Sequence, residues 1–310
     1  MAKRRAPTRG IDAERRKAMD ALLARYRVTS GKGFRLADYD PADTADLALD
    51  KKEAQRLLQE GVAWLALEQQ KLYAQDRWSV LMILQAMDAA GKDGTIKHVM
   101  SGVNPQGVEV ASFKAPNAEE LDHDFLWRHV KRLPPRGHIG IHNRSWYEEV
   151  LVVRVHPELL DRQKLPEAKR THDIFDRRLA HIAAFERYLA DQGVAILKVF
   201  LHLSFAEQRK RFLERIEEPE KHWKFSAADI AERAHWHDYQ KAYEEAIRAT
   251  ATPHAPWYVV PADHKWFSRL VVASALIVTM DDLDLAYPTL PPEERAKLEE
   301  ARKALLAETA

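Results

Sequence analysis

Hydrophobic runs recur along this chain and alternate with amphipathic segments. The most prominent run, residues 80–84 (Val-Leu-Met-Ile-Leu), is followed by small residues and then by an amphipathic segment at 95–100. An apolar run of this length, closed by small residues, is typical of a buried central strand, so a strand, a tight loop and a helix are predicted here. Further strands are predicted at residues 108–113, 138–142, 195–202 and from 256 to about 263.

Apolar residues at helical spacing predict the other elements. One helix is predicted from Asp50 to about Ala74, with Leu57, Trp64 and Leu72 on its apolar stripe. The remaining helices are predicted over residues 11–27, 117–133, 171–192, 204–216, 227–249, 265–286 and 292–307. Strands that alternate with helices predict an α/β fold around a parallel sheet, with helical extensions at both ends of the chain.

The amino terminus differs in composition from the rest of the chain. Residues 1–48 are predicted to be a basic N-terminal arm, residues 49–287 the main domain, and residues 288–310 a C-terminal helical tail. The arm carries basic residues that could hold a polyanion: Lys3, Arg4, Arg5, Arg15, Arg16 and Lys17. We favour the alternative, a solvated and partly disordered tail.

Composition excludes several classes of protein. The formal net charge of +1 gives no global field for nucleic acid or membrane, so any attraction for anions must be local. The absence of cysteine excludes disulfides, thiol nucleophiles and cysteine-bound metals. The histidines lack metal-ligand spacing, and no Gly-x-Ser-x-Gly elbow is present. Without a signal-peptide core or a run long enough to span a membrane, the protein is expected to be cytoplasmic.

The loop after the first strand carries the strongest chemical signal. Its sequence, Asp88-Ala-Ala-Gly91-Lys92-Asp93-Gly94, resembles the phosphate-binding loop of P-loop kinases, in which backbone N–H groups and a lysine face an anion. Two positions depart from the usual pattern: Ala86 replaces the first glycine and must keep a negative φ, and Asp93 replaces the hydroxyl residue. The alternative is a strand-to-helix turn that merely contains Gly-Lys.

A second polar cluster, Asn143-Arg144-Ser-Trp-Tyr147-Glu148, follows the strand at 138–142. Ligands of open α/β sheets bind at the carboxyl ends of the strands. Arg144 could therefore clamp a phosphate, and Glu148 could meet a metal or a substrate hydroxyl. The alternative is a surface loop and helix cap with an Arg–Glu pair.

A basic helix and the polar segment after it, at about residues 205–230, resemble the arginine-bearing lid of small-molecule kinases. The alternative is an exposed basic helix.

Five motifs together resemble the polyphosphate kinase 2 family of polyphosphate:nucleotide phosphotransferases. They are Asp88-Ala-Ala-Gly-Lys-Asp-Gly94, Asn143-Arg-Ser-Trp-Tyr-Glu148, Glu207-Gln-x-x-Arg211, Lys221-His-Trp-Lys-Phe225 and Ala255-Pro-Trp-Tyr-Val-Val-Pro-Ala-Asp263. The resemblance extends from about Tyr26 to about Tyr287. It implies a three-layer α/β/α P-loop kinase with a helical lid, which moves the terminal phosphoryl group of polyphosphate to a nucleotide, in either direction.

The resemblance also implies roles for individual residues. Asp88 is the essential carboxylate that orients the acceptor phosphate and Mg²⁺, with Mn²⁺ as an alternative metal. Lys92 holds phosphate, and Arg144 and Glu148 complete the catalytic group. Phosphate or polyphosphate binding is assigned to Ala89, Ala90, Gly91, Lys92, Asp93, Gly94, Lys97, Arg211 and Arg215. Nucleotide binding is assigned to Asn143, Arg144, Tyr147 and Glu148. A homo-oligomer, dimer or tetramer, is expected.

Three positions refine the resemblance. Many members have Asp where this chain has Asn143, which removes a second metal-binding carboxylate, and many have Gly where it has Asp93. Glu148 follows Trp-Tyr, and glutamate there is the residue of the class that accepts both nucleoside mono- and diphosphates. The resemblance therefore implies transfer to AMP and to ADP.

Two other functions remain open at this stage. An ATP-dependent nucleoside monophosphate kinase shares the core, although Asp93 at the hydroxyl position counts against it. A non-catalytic P-loop protein that senses polyphosphate or nucleotide is the second alternative. For the polyphosphate enzyme, a linear polyanion needs a basic track, for which we nominate Lys97, Lys114, Lys131, Arg132, Lys198 and the lid.

Overall fold

A computed structural model describes residues 11–47, 49, 51–224 and 226–308 of the chain. Lys3, Arg4 and Arg5 of the arm, the predicted helix start at Asp50, and Phe225 of the lid motif lie outside the described residues.

A single sheet of six strands organises the described residues, in the order β1-β6-β5-β2-β4-β3. The strands are β1 (Arg27–Val28), β2 (Ser79–Gln85), β3 (Val108–Ser112), β4 (Ile139–Asn143), β5 (Val194–His202) and β6 (Trp257–Pro261). Strands β2 to β6 pair in parallel, and β1 pairs antiparallel with β6 at one edge.

The connections between the strands are mostly helical. The α-helices are α1 (Ala13–Ala24), α2 (Lys51–Gln75), α3 (Lys92–Val99), α4 (Ala118–Leu121), α5 (Trp127–Val130), α6 (Val152–Val155), α7 (Ile174–Asp191), α8 (Phe205–Glu217), α9 (Ala227–Ala231), α10 (Trp236–Thr250), α11 (Lys265–Asp281) and α12 (Pro292–Ala307). Short 3₁₀ turns lie at Leu36–Asp38, Pro105–Gly107, Trp146–Glu149, Pro157–Gln163, Glu167–Lys169, Pro219–Lys224 and Glu232–His235.

The apolar run of β2 is buried because both faces of the sheet are covered. Val80, Met82 and Leu84 pack into one core with residues of α2, α3 and α11. Leu81 and Ile83 point to the other face, where residues of α7 and α10 complete a second core. Alternate residues of one strand thus enter two cores, which is the three-layer arrangement that the pattern predicted.

The described part of the arm belongs to the fold, so the interpretation of this region as a solvated tail is wrong for residues 11–47. Leu23 and Tyr26 are buried in the core shared with α11, and β1 extends the sheet. Arg16 of α1 pairs with Asp281 and Asp282 at the end of α11, at 2.5 and 2.7 Å. Arg16 can make these contacts because α1 packs against α11 through its apolar stripe.

The helix predicted over residues 117–133 is two short helices, α4 and α5. Asp124 interrupts it, since its carboxylate accepts a hydrogen bond from Leu126 N at 2.9 Å and its carbonyl accepts one from Trp127 N at 3.1 Å. Aspartate that bonds its own backbone in this way competes with helix continuation.

The polar segments that follow β2, β4, β5 and β6 meet at one edge of the sheet. The register places Leu84 of β2 opposite Asn143 of β4 and Val199 of β5. The loops that leave these strands therefore converge, as expected for a parallel sheet. Among the described residues, no helix combines the length and the apolarity that crossing a lipid bilayer requires.

Candidate active site

The loop between β2 and α3 forms a cradle at the carboxyl edge of the sheet. Ala86 stays outside the positive-φ region, as predicted, whereas Ala89 and Gly91 adopt left-handed φ values of 65° and 101°. Gly91 caps α3, so the N-terminal N–H groups of this helix face the cradle. The Lys92 ammonium donates to the carbonyl of Ala86 at 2.8 Å and thereby spans the loop. Burial lowers the pKa of Lys92, and the positive charge of Arg144 adds to this effect.

Arg211 of α8 fixes the loop from behind. Its guanidinium is buried and donates to the carbonyls of Ala89 and Ala90 at 3.1 and 3.0 Å, and to those of Ala262 and Asp263 after β6 at 2.6 and 3.0 Å. Its Nε donates to Glu207 at 2.9 Å. One side chain therefore ties the phosphate loop to the end of β6.

Arg144 connects the second polar cluster to the loop. It takes φ of 65° after β4, and its guanidinium lies 3.1 Å from Asp88 Oδ1 and 3.4 Å from Glu148 Oε2. The charges of Glu148 and Asp88 raise the pKa of Arg144 against the opposing effect of burial. The sequence-predicted Arg–Glu pair thus exists, but it lies beside the loop carboxylate rather than on an isolated surface.

A chamber on one side of the loop is rich in carboxylates. We call it the carboxylate chamber; its lining includes Asp88, Arg144, Glu148, Asp229, Glu232 and Tyr243. Asp229 comes from the lid and Glu232 from the turn directly after it. Burial together with the charge of Asp88 raises the pKa of Asp229, with Arg215 opposing. Carboxylates and one arginine around a small cavity suit a phosphate that arrives with a cation.

A chamber on the other side of the loop has the opposite charge. We call it the cationic chamber; its lining includes Gly91, Arg211, Arg215, Lys221, Lys265 and Arg269. Among the described residues that line it, Glu214 is the single carboxylate. Burial lowers the pKa of Lys265 and of Arg269, and the charge of Arg211 lowers both further. Cations that repel each other in a partly buried cavity favour a polyanionic occupant.

Comparison with known proteins agrees with this geometry. The family model described as polyphosphate kinase 2 matches residues 48–287, which span strands β2 to β6, both chambers and the lid. The chain belongs to the polyphosphate kinase 2 family. The resemblance inferred from the five motifs is thereby confirmed.

Named members of the family resemble the chain over most of its length. It is 48% identical over 289 residues to the ADP-polyphosphate phosphotransferase of Rhodopseudomonas palustris, covering 93% of this chain and 100% of that one. It is 45% identical over 266 residues to the AMP/ADP-polyphosphate phosphotransferase of Meiothermus ruber, covering 86% and 96%. The crystal structure of polyphosphate kinase 2 from Arthrobacter aurescens TC1 superposes with a TM-score of 0.80 at 41% identity, covering 91% and 96%. The predicted P-loop kinase fold is confirmed.

Several predicted site residues lie together around the loop. Asp88, Arg144 and Glu148 line the carboxylate chamber, and the Lys92 ammonium lies at the carbonyl of Ala86, which belongs to the same lining. Asn143 Nδ2 donates to Asp93 Oδ1 at 2.8 Å, so these two departures from the usual motifs bond to each other. Arg215 contacts Asp229 at 3.5 Å, and thus links the cationic chamber to the carboxylate chamber.

Other predicted residues lie elsewhere. Tyr147 is fully buried in the core, where its hydroxyl lies 2.8 Å from both Glu186 Oε1 and Thr250 Oγ1. Its side chain lines neither chamber. Lys198 is also fully buried, 2.5 Å from Glu186 Oε2, and its nomination for an exposed basic track is wrong. Lys97 lies on the exposed face of α3 and is not part of either lining.

Sequence reasoning missed several residues that line the two chambers: Gln208, Asp229, Glu232, Lys265 and Arg269. It also missed Gln85, which hydrogen-bonds to Glu148 of the carboxylate chamber. Lys265 follows the last strand at the predicted ligand-bearing edge, and Arg269 lies one helical turn later, so their signal was present. Asp229 and Glu232 gave no signal, since the lid's path over the loop decides their position.

The residues present suit a hard divalent cation held partly by substrate. Kinases of this family generally depend on a divalent metal. In the described part of the chain, no group of three or more histidine or acidic side chains is arranged to hold a metal ion. Asp88 offers one carboxylate from the loop, and Mg²⁺ commonly uses one or two carboxylates, water and substrate phosphates. The donor set therefore fits a metal that enters with phosphate.

Proposed function

We propose that this chain transfers the terminal phosphoryl group of inorganic polyphosphate to a nucleotide, converting AMP to ADP and ADP to ATP. The observation that carries the proposal is the pair of chambers with opposite charge that meet at the phosphate loop. The names of the relatives from R. palustris and M. ruber support the same reaction.

The two substrates are assigned to chambers by their charge. Polyphosphate carries a negative charge on every unit, so we assign it to the cationic chamber, with Arg215, Lys265 and Arg269 as contacts. The nucleotide phosphate is assigned to the carboxylate chamber, against Arg144 and Asp88. The transferred group would then lie between them, beside Lys92 and the N–H groups at the start of α3.

The reaction requires positioning more than proton transfer. A terminal oxygen of AMP or ADP attacks the end phosphorus of polyphosphate, the P–O–P bond breaks, and the shortened chain leaves with the electron pair. The attacking oxygen is already ionised, so no base is needed. Lys92, Arg144 and the loop N–H groups neutralise charge on the transferred group. Mg²⁺, held by Asp88 and substrate phosphates, would supply further positive charge there.

The lid must move for substrates to enter. The carboxylate chamber measures about 140 Å³, smaller than the roughly 300 Å³ at which small-molecule pockets begin. Its outer wall is made by Gln208 of α8, Asp229 of α9 and Tyr239 of α10. We therefore assign residues 205–230 as a lid in which Arg211 keeps α8 on the loop, while the segment after α8 opens for the nucleotide and closes to exclude water.

Four further sequence predictions are retained as part of the proposal. The main domain at residues 49–287 follows the motif-bearing segment. Glu148 supports an acceptor class that includes both AMP and ADP, and a cytoplasmic location suits these substrates. The fourth prediction is a homo-oligomer, either a dimer or a tetramer, and light scattering of the purified full chain checks it.

The test is phosphoryl transfer from long-chain polyphosphate with Mg²⁺, and in parallel with Mn²⁺, offering AMP and ADP separately. We expect ATP from both acceptors, with AMP passing through ADP, and no product from Asp88→Asn. Asp191→Asn, a change at an exposed aspartate on α7, is the matched control and should retain activity. Product from ADP alone would contradict the proposal that the chain accepts both AMP and ADP. Transfer only from ATP to a nucleoside monophosphate would replace the proposal with an ordinary nucleotide kinase, and binding without transfer would indicate a sensor.

A further inference from the structure

Gln85 is a polar residue at the end of a strand whose residues are all buried. It closes β2, is fully buried, and directly precedes the phosphate loop. Burying a primary amide is unfavourable unless its hydrogen bonds are made, so its partners show what the amide is used for.

The two ends of the Gln85 amide have different partners. Nε2 donates to Glu148 Oε1 at 2.8 Å, and Oε1 accepts from the buried hydroxyl of Ser145 at 3.1 Å. A carboxylate only accepts, so Glu148 selects the NH₂ end of the amide, and Ser145 holds the opposite end. The hydroxyl of Tyr243, in the chamber wall, also hydrogen-bonds to Gln85. The amide is thus held in one orientation.

This orientation decides how Glu148 meets Arg144. Glu148 uses Oε1 for Gln85, and its other oxygen lies 3.4 Å from Arg144 Nη1, a long contact for an ion pair that could be bidentate. Arg144 Nη2 meanwhile lies 3.1 Å from Asp88 Oδ1. By holding one oxygen of Glu148, Gln85 keeps the glutamate from closing fully on Arg144.

From this geometry we infer that Gln85 is a positioning residue that sets the preference of the site between nucleoside mono- and diphosphates. The inference rests on the proposed function. Without the amide, Glu148 would pair more closely with Arg144 and neutralise it. The acceptor phosphates would then meet less positive charge, and ADP, which carries more negative charge than AMP, would lose more binding.

The experiment compares Gln85→Leu and Gln85→Glu with the wild-type full chain. Gln85→Leu removes both hydrogen bonds at similar volume. Gln85→Glu keeps an acceptor for Ser145 but turns a carboxylate toward Glu148. The matched control is Gln69→Leu, which alters a buried glutamine of α2 outside both chambers. The measurements are kcat/KM for AMP and for ADP with polyphosphate, and the Kd of each nucleotide by calorimetry without polyphosphate.

We expect Gln85→Leu to shift the ADP:AMP ratio of kcat/KM and of 1/Kd toward AMP by about tenfold, which corresponds to one charge-assisted contact. Gln85→Glu should shift both ratios in the same direction and make the shift pH-dependent, because two facing carboxylates share a proton at lower pH. Gln69→Leu should move neither ratio.

Equal losses for AMP and ADP in both Gln85 variants would overturn the inference and leave Gln85 a structural residue. If Gln85→Leu fails to fold, the Gln85→Glu ratios and their pH dependence decide alone. A wild-type chain that transfers nothing from polyphosphate would remove the proposed function, whereas unchanged Kd ratios in the variants would remove the role of Gln85.

Discussion

Lys198 lies at the centre of a buried polar network. Its ammonium contacts Glu186 Oε2 at 2.5 Å, the carbonyl of Thr250 at 2.8 Å and the hydroxyl of Tyr147 at 3.2 Å. Lys198→Met leaves Glu186 buried without its counter-charge, and we expect the free energy of unfolding to fall by about 3–5 kcal/mol. Urea denaturation measures this loss. Activity of the folded fraction and its salt dependence should stay unchanged, because Lys198 touches neither chamber.

The double variant Lys198→Met with Glu186→Gln is the internal control for this prediction. It removes both charges, so part of the lost stability should return. A Lys198→Met protein as stable as the wild type, but with a raised KM for polyphosphate, would restore Lys198 to the polyphosphate track.

For individual residues, the sequence predicts which side chains lie close together better than it predicts which side chains are buried. Asp88 and Arg144 could be placed together because each follows a strand whose carboxyl end lies at the same edge of the sheet. The positions of Tyr147 and Lys198 could not be predicted, because their partner Glu186 lies in α7, whereas Tyr147 follows β4 and Lys198 lies in β5. No local pattern indicates such a pairing.

At the element scale, helix α8 carries two arginines in different environments. Arg211 bonds four backbone carbonyls around the loop and β6, whereas Arg215 is partly exposed between the chambers. Lysine cannot reproduce the planar fork, so Arg211→Lys should lower the free energy of unfolding by about 2–3 kcal/mol. Arg215→Ala should change it by less than about 1 kcal/mol, raise the KM for polyphosphate, and weaken the dependence of that KM on salt.

Urea denaturation and KM measurements at two ionic strengths separate these roles. The prediction for α8 is refuted if Arg211→Lys keeps full stability and raises only the KM for polyphosphate. Arg211 would then act as the phosphate ligand that the family resemblance implies.

Strands and helix ends could be predicted where a single local rule decides the structure. The apolar runs of β2 and β5 indicate strands because both faces are covered, and Gly193 ends α7 with φ of 80°. The split between α4 and α5 depends on one aspartate that bonds its own backbone, and β1 has only two residues. Such features are decided by local competition or by an edge partner, to which hydrophobic periodicity is insensitive.

At the scale of the whole molecule, the near-neutral net charge conceals a local separation of charge. Although the net charge is only +1, one chamber carries mostly positive side chains and the other mostly carboxylates. The positive side chains are Arg211, Arg215, Lys221, Lys265 and Arg269. The composition predicted that any attraction for anions must be local. It could not locate that attraction, because the cationic chamber draws on α8, α11 and the lid.

Buried histidines in two parts of the sheet predict how stability depends on pH. Burial lowers the pKa of His142 to about 4 and that of His202 to about 4, from 6.5. Between these values the unfolded chain binds protons that the folded chain does not, so stability is fully present above pH 6.5 and decreases as the pH falls toward 4. From pH 7 to pH 5 each imidazole should remove about 2 kcal/mol from the free energy of unfolding.

Comparison with a variant isolates one histidine from the other titrating groups. His202→Gln takes up no proton at this position on unfolding, so its loss of stability between pH 7 and pH 5 should be smaller than that of the wild type by about 2 kcal/mol. His172→Gln changes an exposed histidine and should lose as much as the wild type. Urea denaturation at both pH values measures the difference. Equal losses in His202→Gln and wild type would mean that His202 is protonated in the folded chain as readily as in the unfolded one, and that its burial between β5 and the arm leaves room for a charged imidazole.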